Sequence, residues 1–450
     1  LALTVAALLV LPDFLLRFIA LVVTRTAYRI RISGADRIPL EGPALLVCNH
    51  ASYMDALLLL ATQQRRIRFI MNREIYDRRA WLKPLLNLMG IIPIAENDGP
   101  KRLVASLREA RKALDEGYLV CIFAEGALTR TGMMLPFRRG FERILKGTAH
   151  PIIPVCLEGA WGSIYSYYHG QLVTRWPGLR RYPVWVLFGA PLPPGSSASE
   201  VRLAVMELSC DAFNARKPGR RPMIEEFIRS ARRNWNRQAI SDTSGKSLTH
   251  GQTLVAALAL ARLLRPRLER QKNVGILLPA SAGAALANLA ISLLGRTSVN
   301  LNYTAAPDSL ASAVRQAGLR TVLTSRAFLD RLPGQLRVPG PAFMEDMLPG
   351  MTPGARLRAW LSARFVPARA LASAPRLFTA DAPAAILFSS GSTAEPKGIV
   401  LSHHNLLSNM ESLRMVFNST PGDNICAALP FFHSLGFTAA LWFPLLNGLS

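Results

Sequence analysis

The sequence predicts an α/β protein: a membrane-associated N-terminal helix, an α/β domain behind it, and the N-terminal α/β part of a second domain. Three observations carry this. Short apolar runs alternate with amphipathic stretches from residue 44 to about 190. The same alternation begins again near residue 223, after the Pro/Gly/Ser run at 191–199 and the basic segment at 215–222. The chain also opens on an apolar stretch, LALTVAALLVLPDFLLRFIALVV. Strands interleaved with helices define an α/β layer architecture.

The opening stretch fails as a signal peptide, since no basic region precedes it and no small-residue cleavage site follows. About 20 apolar residues suffice to span a bilayer core. Pro12, Asp13 and Arg17 interrupt the run, and Asp13 and Arg17 at i,i+4 are placed to pair. A membrane-embedded or interfacial helix over 1–30 is the expectation, followed by Arg25, Arg29 and Arg31. A start at Leu1 inside an apolar run also fits a piece of a longer chain. Strands are expected at 44–49, 67–72, 90–94, 118–124, 150–159 and 183–189. KRLVASLREARKALDEG (101–117) has helical spacing and closes on Gly117 as a C′ residue. One domain is expected over 31–215, a basic linker over 216–240, and a second, incomplete domain over 241–450. In the latter, 249–264 and 281–295 read as helices, and 273–281, VNLNY, TVLTS and AAILFSS as strands. The Ala/Arg/Pro-rich stretch 349–376 reads as loop or loosely packed helix.

Charge narrows the partners. The 450 residues hold 53 Lys and Arg against 29 Asp and Glu, a net +24. Such a field favours anionic partners. Nucleic acid would call for a helix-turn-helix, a zinc finger or aromatics interleaved with the basic residues, and none is visible. Basic residues beside an apolar N-terminus favour anionic lipid. The five cysteines, Cys48, Cys121, Cys156, Cys210 and Cys426, are widely spaced without a Cys-x-x-Cys pair. That argues against a zinc ribbon or disulfide scaffold.

The sharpest signal in the first domain is CNHASYMD (48–55). On an ideal helix His50 and Asp55 would stand ~140° apart. Pairing therefore requires His50 in a strand-to-helix turn, with Asp55 reaching back from the first helical turn, where Ser52 could serve as N-cap. The carboxylate would then hold one ring nitrogen as N–H and leave the other free as a base. With no serine or cysteine nucleophile nearby, such a base suits deprotonation of a substrate's own hydroxyl. The bland alternative is a capping turn with an incidental histidine. A second segment, FAEGALTRTG (123–132), places Glu125-Gly126 after a strand, and Arg130 as a fork for phosphate. FRRGFERI (137–144) adds cations.

These segments, in order, resemble the four blocks of the glycerolipid acyltransferase family: Asn49-His50-x-Ser52-x-x-Asp55, Gly90-Ile91-Ile92-Pro93-Ile94, Phe123-Ala124-Glu125-Gly126 and Ile153-Pro154-Val155. The resemblance covers about 35–210. It implies His50 as base and Asp55 as its orienting partner, with Asn49, Ser52, Glu125, Gly126 and Arg130 binding substrate, and no metal or cofactor. Ala124 stands where the family has proline. Where lysophosphatidate acyltransferases carry an arginine after the second block, this chain has Ala95-Glu96-Asn97-Asp98. A missing cation and two added acids disfavour a phosphate monoester and favour a zwitterionic lysophospholipid.

ILFSSGSTAEPKGIVLSHHNL (386–406) is a Ser/Thr/Gly-rich loop after an apolar strand, without the Walker order. Its hydroxyls, backbone N–H groups and lysine suit polyphosphate. It resembles the phosphate loop of adenylate-forming enzymes, which implies ATP binding by Ser389, Ser390, Gly391, Ser392, Thr393, Lys397 and Gly398, with Mg2+. Ala394 replaces the usual glycine. Leu301-Asn302-Tyr303 and the block 429–436 resemble two further family motifs, the latter implying His433 beside an acyl pocket. The family's later blocks would follow residue 450, so this half is not expected to activate an acid alone.

The combined order resembles bifunctional phospholipid-remodelling enzymes of bacterial inner membranes, acting on the cytoplasmic side. The resemblance implies acyl-adenylate formation and transfer to the phosphopantetheine of acyl carrier protein. Transfer from acyl carrier protein, or from CoA, to the free hydroxyl of a lysophospholipid such as 2-acylglycerophosphoethanolamine follows. It also implies membrane lipids as partners and a fused or separate lysophospholipid transporter. The alternatives are a lysophosphatidate acyltransferase fused to an acyl-CoA synthetase, and a membrane scaffold whose second half only binds nucleotide.

Overall fold

A computed structural model describes residues 12–78, 83–95, 99–163, 165–170, 181–243, 245, 247–332, 338–347, 349–372, 379–389, 395–417 and 419–450. The chain divides into two compact units, Leu1–Ala215 and Arg216–Ser450.

In the first unit the helix Pro12–Ala27 leads into a seven-stranded sheet. Among the residues of that helix whose side chains are described, Ala20 and Thr24 are buried, and Phe18, Ile19, Val22 and Val23 are exposed. Among the described residues no helix is long and apolar enough to cross a membrane. Residues 1–11 of the expected anchor lie outside the described residues. The strands are β1 (Tyr28–Ser33), β2 (Ala44–Cys48), β3 (Ile67–Asn72), β4 (Ile92–Ile94), β5 (Leu119–Phe123), β6 (Ile152–Glu158) and β7 (Tyr182–Phe188). Their order across the sheet is β1-β7-β6-β2-β5-β3-β4. All neighbours are parallel except β6 and β7.

Central β2 explains its own composition. Ala44, Leu46 and Cys48 pack into one core and Leu45 and Val47 into the other. A strand covered on both faces reads as an unbroken apolar run. At the sheet's edge, β1 was hidden from the sequence reading: YRIRIS alternates arginine with isoleucine, so the arginines looked like a membrane-flanking cluster. Gly117 does close the helix Pro100–Asp115, with φ +89°. Its N–H donates to Leu114 O, and that of Tyr118 to Ala113 O.

The second unit holds β8 (Gln238–Ser241), β9 (Ser247–Thr249), β10 (Asn273–Leu277), β11 (Thr297–Asn300), β12 (Val322–Thr324), β13 (Pro341–Phe343), β14 (Pro383–Phe388) and β15 (Gly398–Ser402). β8 and β9 form a separate antiparallel pair. The main sheet runs β13-β12-β10-β11-β14-β15, parallel except for β14 against β15. The 216–240 stretch, expected as a basic linker, is corrected here. Residues Met223–Arg233 form a helix whose Met223, Ile224, Phe227, Ile228 and Ala231 are buried in this unit's core. The arginines that suggested a linker sit beside carboxylates: Arg220 pairs with Glu411 at 3.0 Å and Arg229 with Glu225 at 2.8 Å. Within 349–376 the structure forms the helices Pro353–Phe365 and Ala368–Leu371.

Candidate active site

β2 and β5 are parallel neighbours in register, Cys48 opposite Phe123. Asn49-His50 and Ala124-Glu125 therefore leave the sheet side by side at its carboxyl end, the usual place for ligands in open α/β sheets. Asn49 ties this exit to β6. Its Nδ2 donates to Leu157 O at 3.0 Å, and its Oδ1 accepts from Leu157 N–H at 2.7 Å.

His50 lies in the turn, and Asp55 is the first residue of the helix Asp55–Leu60. His50 Nδ1 is 2.9 Å from Asp55 Oδ2. The same oxygen accepts the backbone N–H groups of Ala51 at 2.7 Å and Ser52 at 2.9 Å. Asp55 is fully buried, so one orientation is fixed by three donors. An ionised carboxylate there holds Nδ1 protonated and leaves Nε2 as the basic nitrogen. The imidazole stacks on Phe123 with centroids 4.2 Å apart and stays 22 % exposed. It is thus clamped on one side and open on the other.

Glu125 is buried, and its two oxygens accept from His50 N–H and Leu135 N–H, each at 2.7 Å. Burial pushes its carboxyl above the ordinary range, and these two backbone bonds pull against that rise. Thr129 N–H donates to His50 O at 3.0 Å. The Glu125 loop therefore positions the His50 backbone from both sides. Gly126 has φ +72°, and a Cβ there would lie 2.4 Å from Arg138 Nε. Only glycine lets that guanidinium close over the loop.

The predicted residues separate into two groups. His50, Glu125, Gly126 and Arg130 gather around the ends of β2 and β5, with Arg130 exposed and its guanidinium 5.1 Å from the Tyr167 ring centroid. Asn49 and Ser52, expected to bind substrate, are buried and spent on the backbone. Ser52 is not the N-cap of the helix; that position is Met54. Instead Ser52 Oγ donates to Tyr165 O at 3.1 Å and accepts Met54 N–H at 3.2 Å. Tyr165 and Tyr167 escaped the sequence reading, although the run Tyr165-Ser166-Tyr167-Tyr168 was a visible signal. Glu96 and Asp98, invoked against a dianionic acceptor, lie outside the described residues. Cys48, the thiol nearest in sequence, is fully buried, and burial raises it well above the usual thiol range. A buried, protonated thiol is no nucleophile.

In the second unit β14 and β15 form a hairpin, Phe388 opposite Gly398. Ser389 N–H donates to Lys397 O at 3.0 Å, closing the base of the loop. Ser390, Gly391, Ser392 and Thr393 lie outside the described residues. Lys397 is exposed, so an ammonium and the Ser389 hydroxyl flank a loop at the end of a sheet strand, a donor set that fits a nucleotide phosphate. A Cβ on Gly398 would press the Phe388 ring at 3.0 Å. Two predicted motifs do meet: the Tyr303 ring packs edge-on against Phe432 at 5.0 Å. His433 is exposed, and its Nδ1 accepts Leu435 N–H at 3.2 Å.

The first unit is an α/β domain with a buried aspartate against a partly exposed histidine at the ends of two parallel strands. Residues 29–158 match the acyltransferase family model and residues 227–450 that of the AMP-binding enzymes; the chain joins one domain of each family. A chloroplastic 1-acyl-sn-glycerol-3-phosphate acyltransferase of Brassica napus is 29% identical over 135 residues, covering 29% of this chain and 38% of that protein. The corresponding enzyme of Cocos nucifera is 33% identical over 124 residues, 26% of this chain and 39% of its own. A 4-coumarate–CoA ligase-like protein of Oryza sativa is 26% identical over 222 residues, 48% of this chain and 40% of that one. The chain spans about two-fifths of the length of these relatives.

Proposed function

We propose that the first unit moves a fatty acyl group from acyl carrier protein to the free hydroxyl of a lysophospholipid such as 2-acylglycerophosphoethanolamine. The observation that carries this is the His50–Asp55 pair at 2.9 Å, beside a Cys48 thiol that burial keeps protonated and a Ser52 hydroxyl donated to Tyr165 O. His50 Nε2 takes the proton of the acceptor hydroxyl as its oxygen attacks the thioester carbonyl. Asp55 holds the tautomer and stabilises the imidazolium that forms. The carrier thiol leaves and takes up the proton. Arg130, exposed beside Tyr167, meets the acceptor's phosphodiester.

The second unit, in this reading, joins fatty acid and ATP into an acyl-adenylate with Mg2+ and passes the acyl group to the carrier's phosphopantetheine. Lys397 and Ser389 would hold the nucleotide phosphates, and His433 would line the acyl side. The setting is the cytoplasmic face of a bacterial inner membrane, where a lysophospholipid transporter, fused or separate, would supply the acceptor. The net charge of +24 suits both an anionic leaflet and an acidic carrier protein.

A second reading has a specific observation behind it: two relatives of the first unit are 1-acylglycerol-3-phosphate acyltransferases. In that reading the acceptor is lysophosphatidate and the second unit makes acyl-CoA. Competition between lysophosphatidylethanolamine and lysophosphatidate at equal concentration, with one acyl donor, separates the two. Faster acylation of lysophosphatidylethanolamine is expected; faster acylation of lysophosphatidate would overturn the remodelling reading.

A further inference from the structure

The helix Pro353–Phe365 in the second unit is built backwards for a soluble surface. Its small residues face in: Ala359 and Ala363 are fully buried in the unit's core. Its large ones face out: Leu357, Trp360, Leu361 and Phe365 are 58, 42, 44 and 71 % exposed. At 100° per residue these four fall within an arc of about 140°, opposite the two alanines. Trp360 and Phe365 pack edge to face, with centroids 6.2 Å apart. Arg364 falls within the same arc, and its guanidinium lies over the Trp235 ring, 5.4 Å from the centroid. The helix is held firmly. Thr352 caps its N-terminus, accepting Ala355 N–H at 3.2 Å. Near its other end Arg232 Nε donates to Ala363 O at 2.7 Å, and Arg262 reaches Ser362 Oγ at 2.6 Å.

Along the helix and the chain that follows it, the charge has one sign. Residues 347–380 contain five arginines, Arg356, Arg358, Arg364, Arg369 and Arg376, and no aspartate, glutamate or lysine. Arg356 and Arg358 are exposed and lie about 100° to either side of Leu357, on the two edges of the apolar arc. A Trp/Phe/Leu face rimmed by arginine is the pattern of a helix lying in a bilayer interface. Tryptophan belongs at the headgroup level, and arginine stems lie along apolar surface while the guanidinium meets phosphate.

The geometry points to a membrane-docking surface on the AMP-binding domain: the face Leu357/Trp360/Leu361/Phe365 lies in the interface of an anionic bilayer, held by Arg356 and Arg358 on lipid phosphates. This contact is separate from the helix Pro12–Ala27 and does not depend on the identity of the acyl acceptor. It places the acyl-activating unit where a long-chain fatty acid resides.

The test uses the full chain with phosphatidylglycerol-containing vesicles whose acyl chains are brominated, and reads tryptophan fluorescence. Seven tryptophans contribute, so the Trp360 signal is the part that Trp360→Phe removes. The expected result is strong quenching of that part in anionic vesicles and little in purely zwitterionic ones. Arg356→Gln with Arg358→Gln should weaken vesicle partitioning by about fivefold per arginine. Quenching of the other tryptophans with Trp360 untouched would overturn the proposal. So would an unchanged partition in the double arginine variant, or a shift of Trp360 emission on adding acyl carrier protein in place of lipid.

Discussion

His50 and Asp55 are five residues apart, a spacing that only a strand-to-helix turn converts into contact, and the turn is what forms. That pairing was legible because a lone geometry satisfies it. The roles of Asn49 and Ser52 were not, because their partners, Leu157 and Tyr165, are more than a hundred residues away. Three results are expected at this scale. Asp55→Asn removes the negative charge that fixes the His50 tautomer and stabilises the imidazolium, and should lower acyl transfer by about 10²–10⁴-fold with the fold retained, read by steady-state kinetics and circular dichroism. Asn49→Leu should instead destabilise the first unit by about 2–3 kcal/mol, since it strands both the N–H and C=O of Leu157; chemical denaturation measures it. Gly126→Ala meets a left-handed backbone and the Arg138 guanidinium, and should cost about 1–2 kcal/mol as well as activity.

Elements were read best where both faces are covered and worst where charge disguised them. β2 and β6 show as apolar runs because the sheet is buried on both sides. β1 and the helix Met223–Arg233 were missed for a common reason: each carries arginines whose aliphatic stems or ion pairs let them lie beside a core. The helix Pro12–Ala27 keeps the apolar face Ile19, Val22 and Val23 outside, 48, 47 and 43 % exposed. Replacing these three with serine leaves the buried Ala20–Thr24 stripe intact and should move protein from the membrane pellet to the supernatant at high salt; an unchanged pellet places the anchor elsewhere. A second element carries a pH effect. His403 Nδ1 accepts Met223 N–H at 3.2 Å, and burial lowers the ring from 6.5 to about 4. The unfolded chain therefore binds a proton between pH 6.5 and 4 that the folded chain refuses, so stability falls as pH falls through that window. His403→Gln, which keeps an acceptor, should reduce this acid loss by about 3 kcal/mol in pH-dependent unfolding of the second unit.

At the scale of the whole molecule, each of the two α/β units has its proposed site at the end of sheet strands: the His50–Asp55 pair at β2 and β5, and the loop between β14 and β15 that we propose holds phosphate. The order of the two family domains makes one sequence of reactions sensible, activation by the second and transfer by the first. In the proposed mechanism His50 deprotonates a lysophospholipid hydroxyl. It is tested most directly by giving the full chain preformed acyl–carrier-protein thioester and lysophosphatidylethanolamine, and following phosphatidylethanolamine by mass spectrometry. Wild-type protein should make the product, and folded His50→Ala should be slower by about 10²–10⁴-fold while the thioester persists. Product formation by His50→Ala at the wild-type rate would contradict the account.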